Sequence, residues 1–137
     1  MDRRTLLLGV PGVLTLTACG GDGFDDALNA AAVDVEGVYT ASLTSGRDAG
    51  FGHYVSGQLS TSGEGPSAAA AIFEKALQAV ARVCVEEKGE EVGRNHVVGG
   101  IVARAEDGDS LDIWDVRPSL RTSRERLDNV TAGDFLP

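Results

Sequence analysis

Between Pro66 and Gly89 the chain reads PSAAAAIFEKALQAVARVCVEEKG, and its apolar residues recur at spacings of three and four: Ala69, Ile72, Phe73, Ala76, Leu77, Val80, Val83 and Cys84. Glu74, Lys75, Gln78, Arg82 and Glu86 take the opposite side. This is the pattern of an amphipathic helix with one apolar face. Pro66 or Ser67 suits its start and Gly89 its end. Burying about five large side chains on that face, at about 1.5 to 3 kcal/mol each, contributes on the order of 10 kcal/mol before chain entropy is subtracted. Such a helix requires a second apolar layer.

The flanking segments supply one. Tyr39, Ala41 and Leu43 alternate with Val38, Thr40, Ser42 and Thr44, and His53, Val55, Gly57 and Leu59 alternate with Tyr54, Ser56, Gln58 and Ser60. A period of two predicts two half-buried strands, joined as a hairpin through the glycine-rich SGRDAGFG of residues 45 to 52. Beyond the helix, Val97 to Ala105 and Leu111 to Val116 are rich in β-branched residues. Asp107-Gly108 between them predicts a two-residue type I′ turn, and Pro118 stops the last strand. The expected fold is therefore α/β (α+β): a two-layer sandwich of order ββαββ, with an antiparallel or mixed sheet and the long helix packed on one face. Thr122-Ser123-Arg124-Glu125 has capping-box spacing and predicts a short helix in a tail over residues 119–137. Phe135 and Leu136 would anchor that tail over the sheet's open face.

The amino terminus carries a different signal. From Leu6 to Ala18 the chain is apolar, interrupted by Gly9, Pro11 and Gly12 and preceded by Arg3 and Arg4. As a helix this run reaches roughly 20 Å, short of a hydrocarbon core of about 30 Å. It suits a processed signal peptide over residues 1–18 better than a permanent span. Gly20-Gly21-Asp22-Gly23 then reads as the beginning of a flexible tether over 19–32, with room for a short helical turn at its Asp25 to Ala32 end, and the folded domain occupies 33–118.

Leu16, Thr17, Ala18 and Cys19 together resemble the lipobox of bacterial lipoproteins. That resemblance implies cleavage by signal peptidase II just before Cys19 and a diacylglyceryl thioether at its sulfur. Asp2-Arg3-Arg4-Thr5-Leu6-Leu7 resembles a twin-arginine signal, with Arg3 and Arg4 as its recognition residues and Leu6 in place of the favoured phenylalanine. The general secretory route stays open beside it. The lipoprotein resemblance implies a lipid-anchored protein on the extracytoplasmic face of the cell membrane.

Composition narrows the partners. The 137-residue chain has a formal net charge of −9, and loss of residues 1–18, which carry Asp2, Arg3 and Arg4, makes the balance one unit more acidic. An acidic body disfavours nucleic acid, which is held by clustered Lys and Arg, and leaves contact with the bilayer to the acyl chains. With Cys19 carrying lipid, only Cys84 remains, so no internal disulfide is expected. Cys84 reads as a buried helix-face residue rather than a nucleophile.

No catalytic constellation stands out. The sequence holds no Gly-x-Ser-x-Gly elbow and no Ser-x-x-Lys pair. Gly46, Gly50 and Gly52 are followed by no Lys-Ser or Lys-Thr and make no phosphate loop. His53 and His96 each begin a predicted strand and would meet at one sheet edge if those strands were parallel neighbours, but two ligands do not make a zinc site, and the expectation is two surface histidines. Asp107, Asp109, Asp112 and Asp115 lack calcium-loop spacing, and strand alternation would send Asp112 away from Asp109 and Asp115. Arg117, Arg121, Arg124 and Arg126 read as a solvated helix face, diluted by Glu125 and Asp128. Trp114 reads as core, with a sugar- or peptide-stacking role as its alternative. Neither metal nor cofactor is expected. The expected function is non-enzymatic: a small module binding an envelope protein or peptide through a sheet edge or uncovered face. The alternative is a small-ligand carrier with its pocket around Trp114.

Overall fold

The computed structural model of the chain describes residues 20–48, 52–63 and 65–137. It is a mixed α/β fold. A helix, α1 (Gly20–Val33), precedes the hairpin of β1 (Val38–Asp48) and β2 (Gly52–Thr61). The long helix α2 (Pro66–Lys88) and the short α3 (Glu90–Arg94) lead to β3 (Val97–Arg104) and β4 (Ser110–Leu111). Two more short helices, α4 (Ile113–Val116) and α5 (Pro118–Arg124), come next, and single 3-10 turns at Leu127–Asn129 and Ala132–Phe135 close the chain. The sheet order is β1-β2-β3-β4, with β2 and β3 parallel and the outer pairs antiparallel.

The helix that the apolar period predicts is present over its full length. It begins at Pro66 and is capped at Gly89, whose amide donates to the Val85 carbonyl. Ala69, Phe73, Ala76, Leu77, Val80, Ala81 and Cys84 are buried on one face. They meet Leu43, Val55, Leu59, Val98, Ile101 and Ala103 of the sheet in one continuous core. The two-layer arrangement follows from this single apolar interface. At the start of β1 the register shifts between Val38 and Thr40, which buries Val38 and leaves Tyr39 57% exposed.

Several local expectations are overturned. Residues 20–32 are not a flexible tether: they lie within α1, where Phe24, Leu28 and Ala32 repeat every fourth residue and are buried in the core. Burial of that stripe outweighs the low helix propensity of the three glycines in its first turn. At the other end, Val130, Ala132 and Phe135 are buried too, so the packed unit extends well past 33–118 in both directions. Ser45–Asp48 and Gly52 belong to strands, since the β1–β2 register runs unbroken to the pair Asp48–Gly52.

The strand expected over Leu111–Val116 ends at Leu111. Asp112 accepts from the Asp115 amide at 3.3 Å while Asp115 accepts from the Asp112 amide at 2.9 Å, and this capping box starts α4 instead. The connection before β4 is not a two-residue type I′ turn, because Asp107 does not have the positive φ which that turn requires. The Ala105 carbonyl accepts from Gly108 and the Ala105 amide donates to Asp109, making a three-residue loop with Gly108 at φ +96°. Pro118 opens α5 rather than merely ending a strand, and α5 stops at Arg124, with Glu125 at φ 71°. The capping box of the tail is Thr131 with Asp134, not Thr122 with Glu125. The tail does not cover the open face of the sheet at Phe135: the Ala132–Phe135 turn packs on α2, and the Arg117 guanidinium lies 5.0 Å from the Phe135 ring centre.

Candidate functional site

Because β2 and β3 are parallel neighbours, His53 and His96 come together at the amino-terminal ends of both strands. Their rings stack with centroids 4.9 Å apart and planes 12° from parallel. They are not two surface histidines: His96 is 1% exposed and His53 is half-buried. The cause is α1, which lays Phe24 edge-on to His96 at 5.7 Å and 73°. Lys88, at the end of α2, stands over the other aromatic with its Nζ 4.6 Å from the Phe24 ring centre.

His96 Nδ1 lies 2.9 Å from the Val92 carbonyl of α3. A carbonyl only accepts, so Nδ1 carries the proton of the neutral ring and Nε2 is left bare. Burial holds the His96 imidazole below its usual range against the Val92 hydrogen bond, and the nearby His53 and Lys88 add to the depression. No group of three or more His, Cys, Asp or Glu side chains gathers to hold a metal ion among the described residues. Stacked face to face, the two rings pack against each other as a flat pair.

Beside this pair, on the uncovered side, a groove of about 840 Å³ runs between the first halves of β2 and β3 and the turn at 126–129. Tyr54 and Ser56 form one wall; Arg126 and Asn129 rise on the other. The β2–β3 register shifts between Tyr54 and Ser56 at this place. Gly99 lets the turn approach: a side-chain carbon there would run into the Leu127 carbonyl. Arg126 pairs with Asp128 at 2.7 Å, both strongly exposed, so the rim is polar and self-neutralised.

The groove opens onto the sheet face opposite the helices. There Thr40, Ser42 and Thr44 of β1 stand in register with Ser60, Gln58 and Ser56 of β2, which in turn pair with Arg104, Val102 and Gly100 of β3. The whole surface is exposed or half-buried and hydroxyl-rich, with Gln58 and Arg104 as its long side chains. The sheet edges offer much less. Asp25 and Asn29 of α1 bond the outward backbone of Ser45 and Leu43, and the opposite edge is β4, two residues long. Blocked and shortened edges resist strand addition.

The remaining sequence candidates are accounted for structurally. Cys84 is a free, buried thiol. Trp114 packs partly buried against the core on α4 and does not line the groove. Asp112 and Asp115 meet each other as helix caps, and Asp107 accepts from the Asp109 amide, so the four aspartates are backbone caps and solvated turn residues. Arg117 donates to Glu74 at 2.7 Å and Arg124 clamps Asp134, which makes two of the four arginines fasteners for the tail. Arg3, Arg4, Leu16, Thr17, Ala18 and Cys19 lie outside the described residues. Sequence reasoning missed the groove wall at Arg126–Asn129. Its one signal is the Gly99-Gly100 pair, a place in a strand where another backbone can approach closely.

No family model matches the chain, and neither a curated protein nor a solved structure does. Among the described residues no helix is long and apolar enough to cross a membrane.

Proposed function

We propose that this protein is a lipid-anchored, extracytoplasmic, non-enzymatic binding module that engages an envelope protein or peptide on the uncovered sheet face and its groove. The observation that carries the reading is the hydroxyl-rich face of β1, β2 and β3, which no α-helix covers among the described residues. Hydroxyl-rich surfaces of this kind suit hydrogen-bonded recognition. The blocked edges favour the face over strand addition. Anchoring rests on the lipobox-like Leu16-Thr17-Ala18-Cys19. The route of export is twin-arginine or general secretory.

The experiment has two arms. Radiolabelled fatty acid should appear in the wild-type protein and vanish in Cys19→Ser. A photo-crosslinking residue at Gln58 should capture a partner in intact cells, whereas one at Arg82, exposed on α2, should not. Equal capture from both positions would refute the face as the binding surface.

A small-ligand carrier is the second reading, favoured by the groove volume of about 840 Å³, which lies within the usual range for ligand sites of about 300 to 1,000 Å³. It puts the ligand beside Tyr54, not around Trp114. A small molecule retained in native mass spectra and lost in Gly100→Arg would establish it.

A further inference from the structure

We propose that the stacked His53–His96 pair is an acid-operated latch on α1: with both rings neutral it holds the Phe24 end of the helix against the body, and acidification frees that end. Three elements converge on His96. β2 brings His53 face to face with it, α1 brings the Phe24 ring edge-on, and α3 brings the Val92 carbonyl that fixes its tautomer. The carboxy-terminal segment adds only the Ala132 amide, which donates to the His96 carbonyl at 2.9 Å. The side chains whose charges act on the ring are His53 and Lys88 of α2, and both are cationic when protonated. Phe24, the contact from α1, has no charge to offer. A proton on His96 is therefore placed in a 1% exposed site beside like charge.

The direction of the effect follows. His96 in the folded protein binds its proton at lower pH than in the unfolded chain, where the ordinary value is 6.5. Its contribution is fully present above that value and is lost as pH falls from there through the depressed folded value. The ring can accept the proton only by leaving the stack or by letting water in. The opening lies at the first turn of α1, through Phe24, immediately ahead of the bonds by which Asp25 and Asn29 hold the strand.

A consequence for anchoring rests on the lipoprotein reading. α1 begins at Gly20, directly after Cys19, and has 14 residues. Freed as far as Phe24, its first five residues lengthen from roughly 7 Å as helix to about 18 Å unwound. Acid would thus lengthen the mount while Leu28 and Asn29 keep the rest of α1 docked.

Hydrogen exchange of the full chain, without lipid, tests the latch separately from the anchor. Amides of residues 24–28, whose helical acceptors are residues 20–24, are read at pH 7.5 and 5.5, corrected for intrinsic rates and referenced to β2 and β3, in wild type, His53→Gln and His96→Asn. The asparagine keeps a donor for the Val92 carbonyl and does not titrate. The wild type should lose protection in α1 about tenfold or more on acidification, and either substitution should reduce that loss to under about threefold. Equal wild-type protection at both pH values, or a loss that survives both substitutions, overturns the proposal. Should His96→Asn not fold, ring NMR of the wild type decides. His96 must titrate below the ordinary 6.5 and in step with the α1 amides; titration near 6.5 with unmoved α1 signals refutes the latch.

Discussion

Asn29 of α1 grips Leu43 of β1 from both sides: its Nδ2 donates to the Leu43 carbonyl at 3.0 Å, and its Oδ1 accepts from the Leu43 amide at 2.7 Å. The side-chain amide occupies the place that the next strand of a sheet would take. Asp25, one turn earlier, accepts from both the amide and the hydroxyl of Ser45. A helix thereby closes the edge of a sheet with side chains alone.

Replacing Asn29 with Ala leaves an amide and a carbonyl on β1 without their partners. The expected cost is about 1 to 3 kcal/mol. Asn29→Asp keeps the acceptor but sets a carboxylate against the Leu43 carbonyl, and should be no better. Urea denaturation followed by circular dichroism measures both; a change within error in either variant would refute the edge-closing role.

Gly57 faces Leu43 across the β1–β2 pair at φ +139°, and a Cβ there would run into the Ser42 carbonyl and come within 2.9 Å of the Leu43 Cα. Gly52 has a similar backbone strain at φ +93° with nothing within 4 Å. Gly57→Ala should therefore cost more than Gly52→Ala. The conformational part common to both is about 1 kcal/mol or more, and the excess at Gly57 reports the clash. Equal thermal midpoints would mean that the two strands are not this close.

Asp134 should set the acid limit of the tail. Its side chain is 8% exposed. Burial pushes its carboxyl up, but the Arg124 hydrogen bond, the Thr131 amide and the charges of Arg124 and Arg117 outweigh that and hold it below the ordinary 3.8. A depressed carboxylate stabilises above its unfolded pKa, and the gain is lost as pH falls below about 3.8. Asp134→Asn should lose about 1 to 3 kcal/mol at pH 7 and should show a flatter stability profile below pH 4. Acid titration of the unfolding midpoint in both proteins checks the sign.

Burial pushes the Cys84 thiol up to about 12, against a lowering by Lys88. The thiolate is the reactive form. Iodoacetamide at pH 8 should therefore leave Cys84 unmodified in the native protein and label it within minutes in denaturant, as read by peptide mass mapping. Rapid native labelling would contradict its place in the core.

What the sequence discloses depends on how local the deciding force is. α2 is legible because an unbroken apolar period runs over 23 residues between Pro66 and Gly89. The β1–β2 hairpin is legible for the same reason, at period two. α1 is hidden because its first turn holds Gly20, Gly21 and Gly23 and its buried residues include only two large ones, Phe24 and Leu28. Its helicity comes from docking, and the signal lies in Phe24, Leu28 and Ala32 beside the neighbouring stripe of Asp25 and Asn29. Leu111 to Val116 reads as a strand from its β-branched residues, yet the reciprocal hydrogen bonds of Asp112 and Asp115 wind it into α4. The meeting of His53 with His96 hangs on the parallel pairing of β2 with β3, and no pattern within either segment dictates that pairing. The groove is less legible still, since Arg126–Asn129 reaches Gly99 only after every other element is in place.

That parallel pairing divides the sheet into two halves. β1–β2 and β3–β4 each close through a short connection, whereas the central seam joins strands separated in the chain by α2 and α3. Heat or denaturant should part the protein along the same line. Whatever occupies the groove straddles this joint, with Tyr54 and Ser56 on one bank and Gly100 on the other. Occupancy would clasp the two halves like a rivet, and a rise in melting temperature would announce the guest before its identity is known.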